Sequence, residues 1–103
     1  MERMTFTRNA DGGLTASNET KAALARAYTR NPGTLSRSIV NAAAHDLARA
    51  AKDLMFTSGK DYESCARHAM SRDPWLSLAT APLSEDGGRA ERELGFEIVE
   101  AAT

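Results

Sequence analysis

The sequence predicts a mainly α fold: a small single-domain bundle of three to four helices, with room for short β-strands at its N- and C-termini. Three observations lead there. Apolar residues recur at three- and four-residue spacings through residues 17–79. Stop-and-start signals divide that span at Asn31-Pro32-Gly33, Ser58-Gly59 and Asp73-Pro74. The chain has 103 residues, the size of one domain, and no stretch reads as a linker. Residues 1–16 form a leader or a short hairpin, 17–79 the helical core and 84–103 an acidic C-terminal segment.

Taken in order, MTFTR at 4–8 alternates in character, and Leu14–Ala16 follows Asn9-Ala10-Asp11-Gly12-Gly13. Asp-Gly-Gly supplies the positive φ angles of a tight hairpin turn. Ser17 or Asn18 caps the first helix, with Glu19 favourable at its positive end. Leu24, Ala27 and Tyr28 share one face of it. Asn31-Pro32-Gly33 stops it, because proline disfavours a helical residue before it.

Thr34 or Ser36 caps the second helix. Ile39, Ala43, Leu47, Ala50, Ala51 and Leu54 form its apolar stripe, with Asn41, His45, Arg49 and Lys52 on the far side. Its pattern runs to Phe56 and ends at Ser58-Gly59, glycine taking the left-handed C-cap. Asp61 caps a third helix, in which Tyr62, Cys65, Ala66, Ala69 and Met70 face inward. Asp73-Pro74 opens a short fourth helix, and Trp75, the largest apolar group available, closes the core. Beyond Pro82 the composition turns polar. A short helix over 89–94 precedes a terminal strand, Phe96–Glu100, that can pair with the N-terminal strands.

The bulk composition excludes several functions. Net charge is −1, so no global field draws the chain to nucleic acid or membrane. The charge is uneven: residues 1–50 carry seven Lys/Arg against four Asp/Glu, and residues 51–103 six against ten. That split permits a nucleic-acid contact at one end and a basic partner at the other. No run approaches the roughly 18 apolar residues of a membrane span. Cys65 is the only cysteine, so no internal disulfide is available and a reducing compartment is expected. Aromatics are only 6% and alanine fills many apolar positions, so helix interfaces are thin, completed by a partner or a second copy.

The catalytic inventory is poor. Cys65 and His68 lie i,i+3 on one helix, but a thiolate–imidazole pair there lacks an oxyanion hole and a third orienting group. A small core cysteine beside a surface histidine is the simpler reading. His45, His68 and Cys65 do not have the spacing of a metal-ligand set. Gly12-Gly13 and Gly87-Gly88 are isolated turn pairs, not a phosphate loop. No catalytic, cofactor or metal residue is assigned, and no cofactor is expected.

Two resemblances add context. From Asp46, the pattern DL..AA..LM...GKDYE.C..H.M..DPWL over residues 46–79 resembles a short helical module of tailed-phage and prophage small proteins. In that module the tyrosine and the Pro/Leu turn are packing elements, matched here by Tyr62, Pro74 and Leu76. The resemblance implies a phage or mobile-element context and no reaction. LTASNETKAALARAY...TLSRSIVNAAAHDL, residues 14–47, looks like a ribbon–helix–helix DNA-binding domain. That likeness implies a dimer with Thr15 facing bases and with Ser36 and Arg37 holding phosphate. The chain departs from it in having Asn31-Pro32-Gly33 where a short glycine turn is usual, and in a strand without alternating long polar side chains.

The expected function is therefore a non-enzymatic phage or mobile-element protein that binds another macromolecule, foremost a protein complex. It would be an inhibitor of a host system, such as an anti-CRISPR protein, or a small virion component, located in the host cytoplasm or the virion. Acidic residues Glu91, Glu93, Glu97 and Glu100 are its candidate partner contacts. The alternative is a dimeric ribbon–helix–helix repressor or antitoxin, contacting DNA through Thr15, Ser36 and Arg37.

Overall fold

The structure, a computed structural model, describes residues 5–10, 14–85, 88, 91, 92 and 97–100. Its three-stranded sheet has the order β2-β1-β3, built from β1 Thr5–Arg8, β2 Leu14–Thr15 and β3 Glu97–Glu100. β1 and β2 pair antiparallel, Thr7 opposite Thr15 and Arg8 opposite Leu14. Of the expected turn, Asp11 to Gly13 lie outside the described residues. β3 pairs with β1 in parallel, with Phe6 opposite Ile98 and Arg8 opposite Glu100. A parallel pair requires a long crossover, and here the whole helical core is that crossover. Of the expected terminal strand, Phe96 lies outside the described residues.

Local cap chemistry sets the helix limits. α1 spans Asn18–Arg30, with the Ser17 hydroxyl accepting from the Thr20 N–H at 3.1 Å. It ends at Asn31, ahead of Pro32. α2 runs Arg37–Ser58, 22 residues, and stops at Gly59 with φ 73°. α3, Tyr62–Arg72, starts from the Asp61 carboxylate, which accepts from the Ser64 N–H. α4, Pro74–Ser77, starts from Asp73, whose carboxylate accepts from the Trp75 N–H at 3.1 Å. A 3₁₀ turn over Leu78–Thr80 follows it. Of the short helix expected at 89–94, Glu91 and Arg92 are helical and the other residues lie outside the description.

The core gathers one side chain or more from every layer. Phe6 from the sheet, Leu24 from α1, Leu35 and Ile39 at the start of α2, and Leu78 are fully buried. Trp75 is 3% exposed and stacks on Phe6, ring centroids 6.0 Å apart and 22° from parallel. The tryptophan thus closes the core, as its size predicts, and ties sheet to helices. A second, smaller cluster of Ala51, Cys65 and Ala66 holds α2 against α3, the thin alanine contact expected from composition. Tyr62 departs from its expected inward position: it is 43% exposed. It sits on the correct helix face, but in the first turn of α3, beside the point where α2 ends and no longer covers it.

The polar segment after α4 is pinned to the entry of α2. Leu35 donates its N–H to the Pro82 carbonyl and accepts from the Ser84 N–H, both at 2.9 Å. Gly88 is buried against the Thr34 backbone. No helix among the described residues is long and apolar enough to cross a membrane.

Candidate functional site

The outward face of α2 is built by Asn41, His45, Arg49, Lys52 and Phe56, which recur every three or four residues and are all exposed. The sequence predicts the first four as a polar stripe. Phe56 ends that stripe and is 94% exposed, with Met55 at 37% and Tyr62 at 43% around the same α2–α3 corner. Leaving a phenylalanine in water forgoes roughly 1.5–3 kcal/mol of burial. Exposed large apolar side chains in the last turn of α2 and the first turn of α3, flanking the Gly59 break, are the pattern of a contact surface.

The corner is held in place by its own hydrogen bonds. The Ser58 hydroxyl donates to the Leu54 carbonyl at 2.6 Å, and that of Thr57 to the Asp53 carbonyl at 3.2 Å. These back-bonds and the Gly59 N–H to Met55 carbonyl bond at 2.9 Å close the last turn of α2. Phe56 therefore projects from a completed turn. On the α3 side, the Ser64 hydroxyl and then the Ser64 N–H hold the Asp61 carboxyl below its ordinary pKa of 3.8. That cap fixes the start of α3, and with it Tyr62.

Asp46 stands between His45 and Arg49 of that polar stripe, and its carboxylate is engaged by other helices. Its Oδ2 accepts from Lys21 Nζ and from Trp75 Nε1, each at 2.9 Å, and its side chain is only 25% exposed. The Lys21 ammonium also lies 5.4 Å from the Trp75 ring centroid. Asp46 is thus the tie between α1, α2 and α4. Sequence reasoning missed it, although a signal existed: a buried indole N–H needs an acceptor, and Asp46 borders the apolar stripe of α2.

The residues selected from sequence fall in three places. Thr15 is exposed on edge strand β2, where its hydroxyl and the Asn9 amide share hydrogen bonds of 2.9 and 3.1 Å. Around a small depression of about 170 Å³ it is brought together with His45 and Arg49. Ser36 and Arg37 lie at the entry to α2 and do not line that depression. The Ser36 N–H donates to a Glu91 carboxylate oxygen at 2.5 Å, while its hydroxyl makes no capping bond. Glu91 therefore acts across 55 residues as the acidic half of a capping box. Glu100 pairs with Arg8, Oε1 to Nε 3.3 Å. Glu97 lies in β3, and Glu93 falls outside the described residues.

Cys65 is buried, its thiol 3.8 Å from the Lys60 carbonyl and 3.7 Å from the Ser58 hydroxyl. Among the described residues no hydrogen bond joins it to His68, which is exposed. Nor does any group of three His, Cys, Asp or Glu among them have the arrangement to hold a metal ion. No family model, curated protein or solved structure matches this chain.

Proposed function

We propose that this protein is a non-enzymatic binding factor of phage or mobile-element origin that engages a protein complex, either as an inhibitor of a host system of the anti-CRISPR kind or as a small virion component. The observation that carries the reading is Phe56, 94% exposed on a hydrogen-bonded helical turn beside Met55 and Tyr62. Exposed aromatic and methionine side chains are typical anchors of protein interfaces. The acidic residues are secondary in this reading, since Glu91 and Glu100 already serve Ser36 and Arg8.

The test compares wild type with Phe56→Asp in capture from host lysate, both at equal stability. One partner held by the wild type and lost by the variant supports the reading. An identical capture profile from both removes the Phe56 corner as the contact.

One observation favours the ribbon–helix–helix alternative: Thr15 stands on an edge strand beside His45 and Arg49. A DNA-binding dimer would show a linear fall of log affinity with log salt, set by its phosphate contacts. It would also lose affinity on Arg37→Ala. A monomer that ignores duplex DNA at about 50 mM salt, where phosphate contacts are strongest, rules this out.

A further inference from the structure

The outward stripe of α2 couples its apolar end to charge. Arg49, Lys52 and Phe56 follow at i, i+3 and i+7 of one continuous helix, so they share a face and span about 10 Å of its length. All three are exposed, Phe56 to 94%. Among the described residues, the side chain of neither Arg49 nor Lys52 makes an ion pair or hydrogen bond. The carboxylates of the same helix stay off this face. Asp46 is turned to Lys21 and Trp75. Asp53 lies about 40° round the helix from Arg49, on the side away from Lys52 and Phe56.

We propose that this face of α2 docks, as a helix, into an acidic groove of a partner protein. Phe56 enters an apolar pocket there, and carboxylates on the pocket's rim meet Arg49 and Lys52. The inference rests on the binding-protein reading above and names the chemistry of the surface that Phe56 meets. Two unpaired cations on a face without a carboxylate favour an acidic surface over a basic one. An exposed aromatic beside them supplies the buried anchor of a helix-in-groove contact, which a purely ionic encounter does not need. Nucleic acid matches the face less well, because phosphate binding draws on many cations and this chain carries a net charge of −1.

The experiment places a benzophenone amino acid at position 56 of the full chain and maps its adducts in host cells to the crosslinked peptide. Three versions are compared at equal stability: the chain with Arg49 and Lys52 as they are, the conservative exchange Arg49→Lys with Lys52→Arg, and the reversal Arg49→Glu with Lys52→Glu. All of these residues are good helix formers, so α2 is kept. The adduct should map to a partner surface bearing Asp or Glu beside the attachment point. Its yield should survive the conservative exchange and fall about tenfold on reversal, the worth of two exposed charge pairs inverted. A yield indifferent to reversal, or attachment at a surface without carboxylates, overturns the proposal while leaving Phe56 a protein contact. A nuclease-sensitive adduct overturns it by making nucleic acid the occupant, and an adduct of twice the chain's mass by making a second copy the occupant. No adduct from any version overturns this proposal and the Phe56 reading together.

Discussion

Asp46 Oδ2 accepts the indole N–H of Trp75 across 29 residues at 2.9 Å, while the same oxygen holds Lys21. One carboxylate so placed joins three helices at the edge of the core. Asp46→Ala removes both bonds and leaves the indole N–H without its acceptor. The expected loss is about 1.5–3 kcal/mol, the range for hydrogen bonds to a charged group. Asp46→Asn keeps an acceptor for the indole and gives up only the ion pair, so it should cost less. Urea unfolding followed by Trp75 emission measures both.

The entry of α2 gives a second prediction. A Cβ on Gly88 would overlap the Thr34 carbonyl oxygen. Gly88→Ala should therefore force Gly88 away from Thr34 and cost about 1–3 kcal/mol or more, as overpacking does. Glu91→Ala should cost about 1 kcal/mol, the value of a lost cap. Gly88 and Glu91 both meet the entry of α2, at Thr34 and Ser36, so the double variant should lose less than the sum. Thermal or urea unfolding of the four proteins decides it.

Gly59 isolates backbone strain from packing. Its φ is 73° and a Cβ there would meet nothing within 4 Å. Gly59→Ala should cost about 1 kcal/mol from the left-handed conformation alone. A neutral result by urea unfolding would mean the C-cap of α2 is not left-handed in solution.

Acid sensitivity follows from Asp61. Its pKa is lowered in the folded chain by the Ser64 hydroxyl and N–H. The carboxylate's contribution is thus fully present above the ordinary 3.8 and is lost as pH falls through the lower folded value. A carboxyl-resolved NMR titration should place Asp61 below that ordinary value, and Ser64→Ala should bring it back up. Asp61→Asn should flatten this part of the acid limb in circular dichroism.

How much of this was legible in the sequence depended on range. Ser17, Asp61, Asp73-Pro74 and Gly59 act on backbone groups within a few residues, so their roles can be read locally, and the helices and their limits follow. The alternation at 4–8 and the pattern Phe96–Glu100 likewise mark strands, which the structure describes as Thr5–Arg8 and Glu97–Glu100. Relationships closed by the fold were not legible. Glu91 was grouped with the acidic partner candidates, yet its carboxylate reaches the Ser36 N–H at 2.5 Å. Asp46 borders the polar stripe of α2 in the sequence, and nothing local shows that its carboxylate reaches Lys21 and Trp75. Phe56 was seen only as the last apolar residue of a long helix. Whether such a residue is covered depends on where the next helix lies, and that is a tertiary fact.

Whether Phe56 touches another protein is read out by site-specific photocrosslinking. A benzophenone amino acid at position 56, with exposed Thr80 as the control position, is activated in host cells. A contact at Phe56 gives one dominant adduct to another protein from position 56 and none of that mass from position 80. No adduct from 56, or the same pattern from both positions, would contradict it.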